Sequence, residues 1–356
     1  MLLAVAVSMV LGLFALEGRF TPKKPAADKI VFVSDRAGHP DIWMMNADGS
    51  DPQPLTSDVY ADASPAWSAD ATRVVFTSER DGLAQVFTRQ STRDQQPQQI
   101  TVGSGVKLQP LFSPDGRSIA YVQQGRVFLS NSDGSDVEPL LPPIESGATA
   151  EEFGVSNPYV QIDWSADGQS LAAVRRVERL QFAQILMSLD EEPQAIAYPD
   201  GVPISSDRLS VRWAPRGGKI AVSIVSRDTG VIAVQDYKGE KSFGFIVKGV
   251  ATGRLAWSPS GEQIAFEVLG YRETHGYSTK ALAVAEVDSA LYVIVARGDV
   301  SGPSWTPDGK KVVFTKVGKG GLRDVWSVNP DGTGAKNLTA GRGDNHDAQA
   351  SPVTAD

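Results

Sequence analysis

Three histidines, His39, His275 and His346, are the only imidazoles in the chain, and there is no cysteine. Thiolate nucleophiles, thiolate zinc sites, iron–sulfur clusters and disulfides are therefore excluded at once. A serine hydrolase would need a nucleophile spaced beside one of those histidines, as in a Gly-x-Ser-x-Gly elbow, and no such pentapeptide occurs. His39 and His346, with Asp35, Asp41, Asp344 and Asp347, are the one set of residues that could gather nitrogen and carboxylate ligands for a divalent cation. The run Asn46 to Asp51, NADGSD, copies part of the alternating oxygen pattern of a calcium loop. It lacks the rest of that loop and the bidentate Glu, so it reads as a hairpin turn. The glycine-rich run Lys316 to Gly321 joins two strand-like segments rather than opening a helix, and reads as a turn rather than a phosphate cradle. No catalytic residue, metal ligand or cofactor is assigned from the sequence.

Other residue types suit recognition better than catalysis. Tyr and Arg are the side chains that most often anchor protein interfaces, and loops that vary on a repeated scaffold are where binding is carried. Irregular connections here hold Tyr60 and Asp62; Tyr159, closing an acidic stretch from Pro142 with Glu145, Glu151, Glu152 and Phe153; Arg175 and Arg179; Arg208; and Tyr271, Arg272, His275 and Tyr277. These ten are the candidate protein-binding residues. A formal charge of −8 argues against nucleic acid as the partner, because phosphate binding needs a basic stripe.

The elements that must position these residues follow from a repeat. Aromatic residues at 67, 112, 164, 213, 257 and 305 each open a turn of the type Trp-Ser-Pro-Asp-Gly, with spacings of 45, 52, 49, 44 and 48. That period suits a four-stranded propeller blade rather than a helical solenoid. Each turn is followed by a β-type run such as Val74-Val75-Phe76 or Ile264-Ala265-Phe266, and Pro and Gly in the turn supply hairpin dihedrals. A second hairpin, Asn-x-Asp-Gly at Asn46, Asn131 and Asn329, separates two further strands. The chain starts out of phase: Lys29 to Val33 reads as a second strand with no first, and Ala350 to Val353 as a first strand with no successor. The two ends are expected to complete one shared blade, giving an all-β, seven-bladed propeller with no open sheet edge. Five of the seven Trp fall at the first-strand position, where a large ring fills the wedge between blades. The recurrent Ser34-Asp35-Arg36, Ser78-Glu79-Arg80 and Ser226-Arg227-Asp228 read as structural turns.

The string Asp41 to Thr56, DIWMMNADGSDPQPLT, and the Trp-Ser-Pro-Asp-Gly turns resemble the repeats of TolB-like, WD-like β-propellers over about residues 29–356. The resemblance is one of fold rather than orthology, since the Tol protein's preceding α/β domain is expected to be missing. It implies the propeller but leaves function open, because similar repeats serve envelope proteins, peptidase gates and a few lyases.

Residues 1–20 open with sixteen uncharged positions, MLLAVAVSMVLGLFAL, read as a signal peptide or membrane-anchor helix, with 21–28 as linker. Sixteen helical residues span roughly 24 Å, short of a hydrocarbon core of roughly 30 Å. The expected role is a non-catalytic, extracytoplasmic scaffold, membrane-tethered or exported, that binds a protein of the envelope or of a membrane complex. The alternative is a polysaccharide lyase or hydrolase working at the mouth of the central channel.

Overall fold

A computed structural model describes residues 28–353 apart from 81, 93–94, 142–158, 178–179, 187–193, 196–204, 207, 227–228, 237–241, 248–249, 273–277, 288 and 290. The signal or anchor segment, 1–20, lies outside the described residues. Within them no helix is long and apolar enough to cross a membrane.

Every turn of the repeat builds an antiparallel sheet whose strands, a to d, run outward in chain order, and the protein is an all-β propeller of such blades. Among the described residues there are seven sheets. Strands a of the second to seventh are Asp62–Trp67, Lys107–Phe112, Tyr159–Trp164, Arg208–Trp213, Val250–Trp257 and Val300–Trp305. The fourth sheet carries an added short strand, Ser205–Ser206, paired to its third strand. Sheets adjacent in sequence abut through strands a, and the seventh abuts the first.

The first sheet joins the two ends of the chain: Asn345–Ala350, Lys29–Ser34, Asp41–Asn46 and Gln53–Pro54. The closing strand therefore lies earlier than the sequence suggested, at 345–350 rather than 350–353. Asn-His-Asp-Ala-Gln-Ala shows no apolar alternation because a bulge at Asp347, φ +50°, breaks the period of two. Ser64, Gln109 and Gly302 hold the same left-handed conformation at the third position of their own strands a, so the bulge recurs in several sheets, although strand Arg208–Trp213 pairs without one.

The Trp-Ser-Pro-Asp-Gly turns owe their regularity to hydrogen bonding. Ser113 Oγ donates to Asp115 Oδ1 at 2.6 Å and accepts the Ser118 amide at 3.0 Å; Ser165 does the same with Asp167 and Ser170 at 2.6 and 2.9 Å. Those hydroxyls, helped by backbone amides, hold the Asp115 and Asp167 carboxyls below the ordinary carboxylate range. The Asn-x-Asp-Gly hairpins, in which the Ser50 and Ser135 amides donate to Asp48 and Asp133 Oδ1 at 2.9 Å, are shaped by packing as well. A Cβ on Gly134, φ +92°, would sit 2.7 Å from the Ile100 carbonyl oxygen of the preceding sheet, and one on Gly49, φ +85°, would sit 3.0 Å from that of Leu338. Both glycines are needed for their dihedral and for the close approach of blades.

The core is a set of wedges between sheets. Val31, Ile42 and Leu55 of the first pack with Val74, Phe76 and Phe87 of the second, while Ile30, Phe32 and Met45 pack with Val313, Val325 and Leu338 of the seventh. The strand-a tryptophans lace these wedges together. The indole Nε1 of Trp67 donates to Gln349 O, that of Trp257 to Arg212 O and that of Trp305 to Ala256 O, each at 3.1 Å and each on the preceding strand a. Two of the three recurrent turns, Ser34-Asp35-Arg36 and Ser78-Glu79-Arg80, are structural; residues 227–228 of the third lie outside the described residues. Arg36 Nε donates to Ser34 Oγ at 2.9 Å with its guanidinium 4.6 Å from the Trp43 ring, and Arg80 repeats this with Ser78 at 3.1 Å and Phe87 at 4.8 Å.

Two substitutions test this packing. Trp257→Ala removes a buried ring and its hydrogen bond, and should lower stability by about 3–5 kcal/mol in urea unfolding. A loss under about 1 kcal/mol would place the ring outside the wedge. Gly134→Ala should cost about 1–3 kcal/mol. Gly38→Ala, where φ is also positive but no atom lies within 4 Å of the new Cβ, should cost less; equal losses would mean that the blade contact contributes nothing.

Candidate functional site

One face of the propeller is made of the tight hairpins just described, and the other of the b–c and d–a connections. On the second face the sequence again works by repetition. Thr56, Thr101 and Thr339, following the d strands, each accept an amide near the start of strand c: Ile42 and Val86 at 2.9 Å and Val325 at 3.0 Å. The same hydroxyls donate to the side chain one residue before that amide: Asp41 at 3.3 Å, Gln85 at 2.9 Å and Asp324 at 2.7 Å. Beside each relay stands the buried first residue of the next strand a, namely Asp62, Lys107 and Asn345.

These first residues control the d–a loops. The Lys107 ammonium, enclosed by protein, donates to the carbonyls of Val102, Gly103 and Ser104 at 3.4, 3.3 and 3.1 Å, and Gln85 Nε2 adds a bond to Gly103 O at 2.9 Å. Burial lowers the Lys107 pKa. Asn345 Nδ2 likewise donates to the carbonyls of Arg342 and Gly343 at 3.1 and 2.9 Å. The loop before Asp62 is held from outside: Asp58 pairs with Arg80 at 2.5 Å and the Glu79 amide donates to Ala61 O at 3.1 Å.

On this frame sit apolar side chains with no cover among the described residues. Val59 is 81% exposed, Val102 78% and Leu108 52%, and Tyr60, Leu83 and Val106 are exposed beside them. They form one crescent over the second sheet, because the Asp58–Arg80 pair ties the first loop to the turn bearing Leu83. The Lys107 amide bond to Ala84 O, 2.9 Å, ties that turn to the third loop.

The ten residues proposed from sequence divide accordingly. Tyr60 is on the crescent. Asp62 and Tyr159 were expected at the surface but are buried, because the first residue of strand a points into the seam between sheets rather than outward. Arg175 is half-buried on a strand b. Arg208, Tyr271 and Arg272 lie within strands, 208–213 and 263–272, rather than in loops. Arg179, His275 and Tyr277, and most of the acidic 142–159 stretch, lie outside the described residues. Val59, Leu83, Val102, Val106 and Leu108 were missed. The available signal was an apolar residue inside an otherwise polar turn, as in Ser-Asp-Val-Tyr-Ala-Asp and Val-Gly-Ser-Gly-Val-Lys.

The residues weighed as a cation cluster divide in two. His39 Nδ1 lies 3.3 Å from Asp41, whereas His346 Nδ1 lies 3.1 Å from Asp347, which also pairs with Arg254 at 3.2 Å. Among the described residues no group of three or more His or carboxylates has the arrangement to hold a metal. Amides on strands a are committed to lacing: Gln109 Nε2 donates to Val160 O and Gln161 Nε2 to Val211 O, at 2.8 and 2.9 Å. A cleft of about 330 Å³, lined by Arg216, Ser258, Gln263, Asp308 and Val353 among others, lies against the a–b hairpins of the other face.

Similarity to known proteins agrees with this geometry. A family model described as the TolB beta propeller domain matches residues 18–140. The Tol-Pal system protein TolB of Anaeromyxobacter dehalogenans (strain 2CP-C) is 30% identical over 122 residues, which are 34% of this chain and 27% of the relative. The match thus spans about a quarter of the length of that curated relative. The crystal structure of TolB from Acinetobacter baumannii superposes with a TM-score of 0.57 at 18% identity, over 98% of this chain and 71% of that one. An oligogalacturonate lyase in complex with manganese superposes at 0.50 with 13% identity, over 86% and 98%. At such identities the structural likeness is one of fold. The chain resembles TolB-like propellers in its repeat and in its architecture.

Lys107→Met keeps the side chain's bulk and removes its three carbonyl contacts. Amide hydrogen exchange over 101–106 should quicken while exchange in the strands stays unchanged. Equal protection in both proteins would mean that the loop holds itself.

Proposed function

We propose that the protein is a non-catalytic scaffold, a closed seven-bladed propeller whose b–c and d–a face docks a protein partner in the cell envelope. The observation that carries this is the exposed apolar crescent from Val59 to Leu108, borne on loops that buried Lys107 and the Asp58–Arg80 pair hold to the frame. A rigid apolar patch with an aromatic member and a polar rim suits an interface better than a substrate cleft. The matched curated relative is named for the Tol-Pal system, and that supports both a protein partner and an extracytoplasmic location. The competing reading, a lyase or hydrolase at the channel mouth, draws less support because His346, Asp347 and the strand-a amides are engaged with one another or with neighbouring strands.

The test is capture from solubilised envelope membranes by full-length protein, using wild type, Val59→Ser with Val102→Ser, and Val137→Ser as a control on an exposed c–d connection. A stoichiometric partner should be retained by wild type and control, and its affinity for the double variant should fall about tenfold or more. Equal affinity for all three would move the site elsewhere.

A further inference from the structure

The first residue of strand a does the same task in two seams and is chemically different in a third. Lys107 and Asn345 are both donors, and both reach back to carbonyls two to five residues upstream in their own d–a loops. At the corresponding place between the first and second sheets stands Asp62, fully enclosed, with neither carboxyl oxygen in a hydrogen bond. An ionised carboxylate only accepts, so it cannot clasp carbonyls; a protonated one carries an O–H and can donate. Its loop, Ser57 to Ala61, bears Val59 and Tyr60.

The surroundings favour the proton. Asp41, also fully enclosed, opens the neighbouring strand c. His39 stands beside Asp41 from the b–c connection of the first sheet, Asp58 and Thr56 belong to the d–a loop, and Ser78 and Arg80 come from strand b of the second sheet and the turn after it. Burial raises the Asp62 pKa; the hydroxyls of Ser78 and Thr56 oppose the rise without meeting hydrogen-bond geometry, Asp58 adds to it, and Arg80, already paired with Asp58, offsets it weakly. Burial likewise pushes Asp41 up to about 6, His39 opposing and the charge of Asp62 adding to the shift. The other two seams pair Gln85 with Lys107 and Asp324 with Asn345, so two enclosed acids meet only here among these three.

We propose that Asp62 is a proton-operated clasp: protonated, it donates to the carbonyls of the 57–61 loop as Lys107 and Asn345 do to theirs, and ionised, it releases that loop and with it the Val59–Tyr60 end of the docking crescent. The regulatory meaning rests on the docking reading above, whereas the clasp itself does not. The sign follows from linkage. A carboxyl whose folded pKa lies above its unfolded value imposes no penalty below the unfolded value, and a penalty that grows as pH rises through the folded one. The loop should therefore be held in mild acid and loosen towards neutrality.

Amide hydrogen exchange over residues 57–62 of the full-length protein, corrected for intrinsic rates, reads the clasp without a partner. Between about pH 4.5 and about pH 8, wild type should lose protection about tenfold. Asp62→Asn, which installs the donor found naturally at Asn345, should protect the loop at every pH, and Asp62→Ala at none. Wild-type protection that ignores pH, or an Asn variant that behaves like the Ala variant, would overturn the clasp. So would a pH response lost in Asp41→Asn but kept in Asp62→Asn, which would assign the proton to Asp41. Should exchange follow the clasp while the captured partner ignores Val59→Ser with Val102→Ser, the docking reading fails and the clasp stands.

Discussion

Closure of the ring is the constraint on which the other features depend. A sheet of this repeat has a wet outer edge and two faces that need cover, and only a complete circle gives every face a neighbour. Closure is made by strand Asn345–Ala350 entering beside Lys29–Ser34, and polar contacts secure it. The Arg323 guanidinium grips Asp344, the Asp344 amide donates to Asp35 Oδ1 at 2.6 Å, and Arg36 Nη2 donates to Asn345 Oδ1 at 2.8 Å. The Trp67 bond to Gln349 O then ties the second sheet to the closing strand. Without this strand the wedges on either side of the first sheet would open to water.

Closure also divides the two faces by tolerance to change. Hairpins on one face press their glycines against the preceding sheet, at Leu338 for Gly49 and at Ile100 for Gly134, so their length and sequence are fixed by packing. The other face is relieved of that duty by the threonine relay, which locks the ends of strands c and d from within. Its loops can therefore vary in content while their bases stay in register, and the apolar crescent is found there. The enclosed first residues Lys107 and Asn345 link the two requirements, each being part of a seam on one side and the footing of a loop on the other.

Much of the architecture was legible because it repeats. Trp-Ser-Pro-Asp-Gly and Asn-x-Asp-Gly state the dihedrals of the two hairpins outright, the aromatic spacing states the blade period, and the unmatched ends imply a shared sheet. The exact closing strand was not legible, because a left-handed residue at Asp347 destroys alternation in a segment with little apolar character. The site was legible only in part. The loop face was identified from its variability and Tyr60 was among the candidates, but composition favoured Tyr and Arg, whereas the exposed surface is mainly Val and Leu. Asp62 and Tyr159 sit next to loops in sequence and inside seams in space, and the difference depends on which way the first residue of a strand faces. Lys107 gives no sequence signal at all, since a lysine near a turn is ordinarily solvated and this one is enclosed by its own loop's carbonyls.

The joining of the two chain ends in one sheet bears on how the molecule is made. Lys29 and Ser351 are hydrogen-bonded across 322 positions, so strand Lys29–Ser34 acquires one of its two neighbours only after the six following sheets have been synthesised. Contacts of such sequence separation are slow to form, since chain entropy must be lost before they return any stabilisation. Until then the first hairpin, Lys29–Ser34 with Asp41–Asn46, presents an unpaired and strongly apolar edge, Ile-Val-Phe-Val, to its surroundings. A nascent chain of this kind is open to association for as long as the ring stays unclosed.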